Sequence, residues 1–353
     1  GVAETHRPPA YPLFLTATYH LFGKNNLLAP IIVQHVLFLI MALVIAILAY
    51  KFGGWAAATI SFILLSTDFT VFYYFNEILS EALFTFFITI FFALFWLGLS
   101  RKSPSNALIF ASSIALTLAI YTRPVGMFLI YPLALFTFAL TISKTKRLMD
   151  AAVSSGLFLL PWIIFGGAWY VRSYILAGEF FFTDNLAGAL FMKIVPLIAE
   201  AEGMSQKAIW AYLYDAEKQG MSPILIFLSQ ISEYPIQYTK EVVLDWTRLL
   251  FSPAQGNLKF YFSEIYRNQF SIEPMLLEQN FYSIVKKLND RSLFYLPIIL
   301  FVILHLFVVY LGACYSISKI KVADREFVLL LAIGLLVSGY FIAILLGFIG
   351  LAR

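Results

Sequence analysis

Read for polarity alone, the chain breaks into eight apolar runs, at about 27–50, 54–72, 78–99, 106–121, 125–143, 151–171, 293–316 and 327–349. Runs of roughly 17–25 residues match the length an α-helix needs to cross a bilayer. The pattern therefore predicts eight transmembrane helices. Between the sixth and seventh lies a long hydrophilic stretch, 172–292, still rich in Trp, Tyr and Phe. Within it SQKAIWAYLYDAEKQG, Ser205 to Gly220, opens on an N-cap residue and stops at glycine, the marks of a short amphipathic helix. SPILIFLSQI after Met221 and YTKEVVLDWTRLLF from Tyr238 predict two more, apolar enough to lie in the membrane interface. The expected architecture is an all-α polytopic membrane protein in three parts. A transmembrane module covers 1–171, a helical, partly interfacial cap covers 172–292, and C-terminal transmembrane helices cover 293–353.

Composition closes off the soluble classes. Hydrophobic residues make up 61% of the chain and charged residues 12%, against roughly 25% charged in a soluble domain. A water-soluble fold has nowhere to bury so much apolar surface. The net charge of +4 is small and spread out, with no basic stripe for nucleic acid. The single cysteine, Cys314, lies inside an apolar run, so no intrachain disulfide is possible. The histidines (His6, His20, His35, His305) are scattered and no CxxC or HExxH spacing occurs. No metal or other cofactor is thus called for, although an assisting divalent ion is compatible with the residues present.

Loop charge fixes an orientation. With eight spans, one side carries Lys51, Arg101, Lys102, Lys144, Lys146, Arg147, Lys319, Lys321 and Arg325, nine cations. The short loops of the other side carry four: Arg7, Lys24, Arg123 and Arg353. The positive-inside rule puts the first group in the cytoplasm. A cell-membrane protein is expected, with the opening stretch THRPPAYPLF, the YYFNE loop, the YTRP turn and the 172–292 segment all facing outward. Gly1 and the terminal LAR are also read as cut ends, with a further span expected upstream and more downstream.

The outward side gathers a polar set at the edge of the bilayer. It comprises Glu4, His6, Arg7 and Tyr11 from the first loop, Asp68, Asn76, Glu77 and Glu81 from the second, and Arg123, Arg172, Asp184 and Asn185 further on. Charges near hydrocarbon are costly and are usually paired or functional. Each has a plain reading: Arg123 and Arg172 snorkelling to lipid phosphates, Asp68 and Glu77 solvated, Pro8-Pro9 stopping a helix. Glu81 opens an apolar helix, where a carboxylate gains from the N-terminal dipole. It reads equally as a structural ion pair or a substrate contact. Together the set describes a rim suited to an anion at the outer leaflet, since arginine makes permanent, bidentate contacts to phosphate. A phosphate head on a greasy tail would match such a rim above apolar helices.

Four short stretches bear a likeness to one family. RPPAYPLFL resembles the motif closing the first outer loop of GT-C superfamily membrane glycosyltransferases, in the family 39-like branch of protein O-mannosyltransferases and aminoarabinose transferases. NEILSEALFTFF resembles that branch's S/T-E-x-L opening of a later span, and YTRPVGMFLI its x-R-P turn. WYVRSYILAGEFFFTDNLAG resembles its W-x-x-R-N-Y stretch, with Ser173 where asparagine is common. The resemblance implies a GT-C-type bundle and transfer of a sugar from a polyprenyl-phosphate-sugar donor to a protein, lipid or glycan acceptor outside the cytoplasm. It further implies that His6, Arg7, Tyr11, Arg123, Arg172 and Asn185 hold the substrate, with the arginines on the donor phosphate. Glu81 would belong to the catalytic set, orienting one of those cations or a sugar hydroxyl. The family's catalytic acid lies in the first outer loop, where Glu4 is the only carboxylate in this chain. The principal base is therefore expected upstream of Gly1, with Glu4 a weak stand-in. A lipid-carrier flippase or transporter, or a GT-C-like glycan polymerase or ligase, is the alternative.

Overall fold

The computed structural model describes residues 8–24, 26–178, 180–183 and 186–240, together with 304–305, 307–308 and 311. Among these every regular element is helical. The order is α1 (Ala10–Phe22), α2 (Leu28–Ser66), α3 (Phe69–Asn76), α4 (Ser80–Leu99), α5 (Asn106–Thr122), a 3-10 segment (Pro124–Leu129), α6 (Ile130–Thr145), α7 (Leu148–Ala177), α8 (Leu186–Glu202), α9 (Gln206–Lys218) and α10 (Pro223–Glu233). Four stretches are long and apolar enough to cross a membrane: Leu28–Lys51, Ser80–Leu99, Pro124–Thr145 and Leu148–Ala177. Two shorter apolar helices, Gly53–Ser66 and Asn106–Thr122, lie between them. The span expected over 327–349, and the cap helix expected after Tyr238 beyond residue 240, lie outside the described residues. So does most of the span expected over 293–316.

Two boundaries differ from the expectation for local reasons. The division between the runs 27–50 and 54–72 is kept as a break: Gly53 and Gly54 leave helical geometry and divide α2 into Leu28–Lys51 and Gly53–Ser66. Gly54 has φ +67°, a left-handed conformation that glycine adopts without Cβ strain. The second run is then interrupted at Thr67-Asp68. Asp68 is extended, and its Oδ1 accepts from the backbone N–H of Val71 at 2.9 Å, starting α3 as a new helix. Gly53–Ser66 spans only about 21 Å at 1.5 Å per residue, short of the roughly 30 Å of a bilayer core. The other difference concerns the expected boundary at 171: α7 runs on to Ala177.

The bundle is centred on α4, α5, α6 and α7. Small residues on α5 (Ser112, Ser113, Ala115, Ala119) are all buried and let the backbones approach. Bulky rings fill what remains, with Phe91, Phe95 and Phe158 in mutual contact and Phe136 against Phe95. Lipid tails are as apolar as these side chains, so fit and interhelical hydrogen bonds, rather than exclusion of water, hold such helices together. Ser154 Oγ donates to Asn106 Oδ1 (2.7 Å) between α7 and α5, and Ser155 Oγ to the Ala134 carbonyl (2.9 Å) between α7 and α6. The Ser113 hydroxyl also donates to the carbonyl of Phe158. Pro161, within α7, has no N–H to offer Leu157; the serine binds one residue along, as hydroxyls do around proline in membrane helices.

Helices α8 to α10 form their own apolar cluster around Phe191, Ile194, Leu213 and Phe227. The expected helices starting at Ser205 and after Met221 are present as α9 and α10, and Ser205 Oγ caps the former by accepting from Ala208 N–H. α8, with Pro196 in its interior, is an element the sequence pattern did not announce.

Candidate functional site

At one end of the bundle the chain gathers residues from α1, α2, α4 and the α5 terminus. Pro124 sets the arrangement first, because the residue preceding a proline is driven out of the helical region. Arg123 is accordingly extended, with φ −144° and ψ 122°, and ends α5. Its guanidinium stands at the electronegative C-terminus of that helix. Glu81 lies in the first turn of α4, at an electropositive N-terminus. The two antiparallel dipoles thus each favour the charge they carry. Arg123 Nη1 and Glu81 Oε1 meet at 2.7 Å, with side chains only 15% and 20% exposed. Glu81 Oε2 accepts from Ser80 Oγ at 3.2 Å, so both carboxylate oxygens are engaged.

Gln34, which the sequence pattern hides inside an apolar run, ties this region together. It is fully buried. Its Nε2 donates to the carbonyls of Phe75 (3.3 Å) and Glu77 (2.7 Å), and its Oε1 accepts from the Tyr11 hydroxyl at 3.2 Å. One amide therefore pins the end of α3, the loop leading to Glu81, and the first turn of α1. Tyr11 also feels Glu81 electrostatically. Burial pushes the phenol well above its usual pKa, and the nearby negative charge of Glu81 and the neighbouring Tyr19 add to the shift.

Arg172 stands at the same end on α7. Its guanidinium lies over the Trp169 ring, 4.3 Å from the centroid, a cation–π geometry. Trp169 meets Tyr121 edge-on at 5.7 Å, two residues before Arg123, and its indole N–H donates to the Phe182 carbonyl at 2.8 Å. Phe182, 3% exposed, folds back into a ring cluster of Tyr121, Trp162, Trp169 and Tyr170. Nothing in the local pattern announces this aromatic floor, because Phe182 reads as one of several phenylalanines in a loop.

Of the residues expected to form the site, Tyr11, Glu81 and Arg123 come together around Gln34, and Arg172 joins through Trp169 and Tyr121. Glu4, His6, Arg7 and Asn185 lie outside the described residues. Asp68 faces elsewhere: its Oδ2 lies 3.6 Å from His305 Nε2, while Thr67 Oγ1 approaches His305 Nδ1 at 3.4 Å. That contact, 237 positions apart in the chain (305 − 68), places an ionisable pair at the interruption between α2 and α3. Among the described residues no three His, Cys, Asp or Glu side chains gather closely enough to hold a metal ion. No protein-family model, curated protein or solved structure matches the chain.

Proposed function

We propose that the chain is an integral-membrane glycosyltransferase of the GT-C type, moving a sugar from a polyprenyl-phosphate-sugar donor to an acceptor outside the cytoplasm. The observation that carries this reading is the meeting of Tyr11, Glu81 and Arg123. They come from the three stretches RPPAYPLFL, NEILSEALFTFF and YTRPVGMFLI, and they lie at one end of apolar helices. The fourth stretch brings Arg172 to the same end. In this reading the full protein has eight or more spans, and α8 to α10 belong to a cap over the outer leaflet.

The chemistry is a single inverting displacement. A carboxylate from the loop that carries Glu4, or from sequence preceding it, takes the proton of the acceptor hydroxyl. The oxygen attacks the anomeric carbon as the bond to the lipid phosphate breaks, and the phosphate leaves with the electron pair. Arg172 and Arg123 offset the charge growing on that phosphate. Glu81, with both oxygens occupied, is a positioning residue that aims Arg123, and Tyr11 offers a neutral hydroxyl beside it.

The test is transfer from a radiolabelled polyprenyl-phosphate-sugar in membranes carrying the full-length protein. Arg172→Ala is expected to lower turnover by at least tenfold at normal expression. Undiminished transfer would refute the reading. One observation favours a second class: the interruption at Thr67-Asp68 with His305 beside it resembles the broken helices and membrane-depth ionisable groups of transporters. A flippase would move a lipid-linked sugar across vesicles without breaking its sugar–phosphate bond, so product analysis in the same membranes separates the two.

A further inference from the structure

We infer that the opposite end of the bundle, formed by the α4–α5 loop and the α6–α7 turn, is a docking surface for anionic phospholipid headgroups. The inference is independent of the transferase reading. Lys144, near the end of α6, brings the two segments together: its Nζ donates to the carbonyls of Leu99 (2.5 Å) and Arg101 (3.1 Å) at the end of α4. That contact sets Arg101 and Lys102 beside Lys146 and Arg147. All four are exposed, and among the described residues none of these four side chains has a carboxylate partner. The only acid in these segments and the α7 first turn is Asp150.

Two further features sharpen the electrostatics. Ser154 and Asn106, hydrogen-bonded at 2.7 Å, hold the first turn of α5 against the second turn of α7. Neither helix has a side-chain cap at its N-terminus, so unfilled N–H groups add positive potential at the same place. Lys146 is the one non-glycine residue with positive φ among those described, at φ 58°. A lysine thus stands in the α6 C-cap where glycine or asparagine fits the backbone better.

The apolar neighbours select a lipid over a free anion. Leu148 and Met149, directly after Arg147, are 64% and 72% exposed. They lie in the first turn of a helix that is itself long enough to cross a membrane. Inorganic phosphate has nothing to offer them, whereas a phospholipid presents a phosphate to the four cations and acyl chain to the two apolar side chains. Each cation near an anionic leaflet contributes about a fivefold gain in affinity.

The experiment uses the full chain purified in non-ionic detergent, with the thermal unfolding midpoint followed during titration of phosphatidylglycerol, phosphatidylcholine or inorganic phosphate. Phosphatidylglycerol is expected to raise the midpoint saturably, while the other two leave it in place. In Arg101→Gln/Lys102→Gln/Lys146→Gln/Arg147→Gln the apparent affinity is expected to fall on the order of a hundredfold or more, while Lys207→Gln on α9 keeps it. Should the fourfold variant not fold, Lys102→Gln/Lys146→Gln serves, with an expected loss of about 25-fold. Raising sodium chloride must also weaken phosphatidylglycerol binding to the wild type. An equal response to phosphatidylcholine, an equal response to phosphate, salt-insensitive binding, or full affinity in either Gln variant overturns the proposal.

Discussion

At the start of α4, a carboxylate and a guanidinium from two helices meet at 2.7 Å with most of their surface withdrawn. At its other end, about 30 Å away at 1.5 Å per residue, an ammonium caps carbonyls of the α4 terminus while four other cations are exposed with no carboxylate partner among the described residues. The first arrangement needs tertiary structure: α1, α2, α4 and the α5 terminus must all be in place before Glu81, Arg123, Gln34 and Tyr11 find one another. The second needs only helix ends. Charge withdrawn from water and neutralised by a partner is costly to assemble and sensitive to loss. Charge left at the surface is cheap and adds up through a field. The contrast separates a built site from an electrostatic anchor.

The sharpest way to break that contrast is Arg123→Ala. It leaves Glu81 partly buried beside the Tyr11 phenol, and a drop in stability of about 2 kcal/mol is expected, between the values for exposed and fully buried pairs. Sugar transfer should fall on the order of a hundredfold. Unfolding in detergent and the radiolabel assay read the two effects separately, and Arg123→Lys should restore stability more than turnover, since an ammonium lacks the planar fork.

Gln34→Leu comes next in its combined effect. It strips three hydrogen bonds from a fully buried position and leaves the Phe75 and Glu77 carbonyls to find new donors. A loss of about 2 kcal/mol in detergent unfolding is expected. At the far end, Lys144→Met should cost about 0.5–1 kcal/mol and leave transfer intact. If Lys144→Met proves as damaging to turnover as Arg123→Ala, the two ends are not functionally distinct.

The smallest effect is a pH dependence. The Tyr11 phenol has its pKa raised above 10.0 in the folded chain, so the fold holds that proton more tightly than the unfolded state does. This contribution is complete below pH 10 and is lost as pH rises beyond it. Stability in detergent should therefore decline more steeply above pH 10 in the wild type than in Tyr11→Phe; identical alkaline slopes would show the phenol is not held in this way.

What the sequence made legible follows from the same physics. Apolar period and length announce helices, so α4, α5 and the Pro124–Thr145 stretch begin and end close to the expected runs. The YTRP turn and the first-turn position of Glu81 are local signals, legible from the residues alone. Gln34 is not, because a lone amide in an apolar run declares neither its burial nor its three partners. The Asp68–His305 contact was hidden for the same reason, since its partners come from segments far apart in the chain. α8 does not stand out in the apolar pattern, although the helix packs Leu190, Phe191, Ile194 and Val195 into a core.

The bend at Gly53-Gly54 acquires a mechanical meaning from Gln34. The first long helix is fastened near its top by one amide and jointed at its foot by two residues without side chains. A thicker or thinner bilayer would then change its tilt while the loop leading to Glu81 stays on its peg.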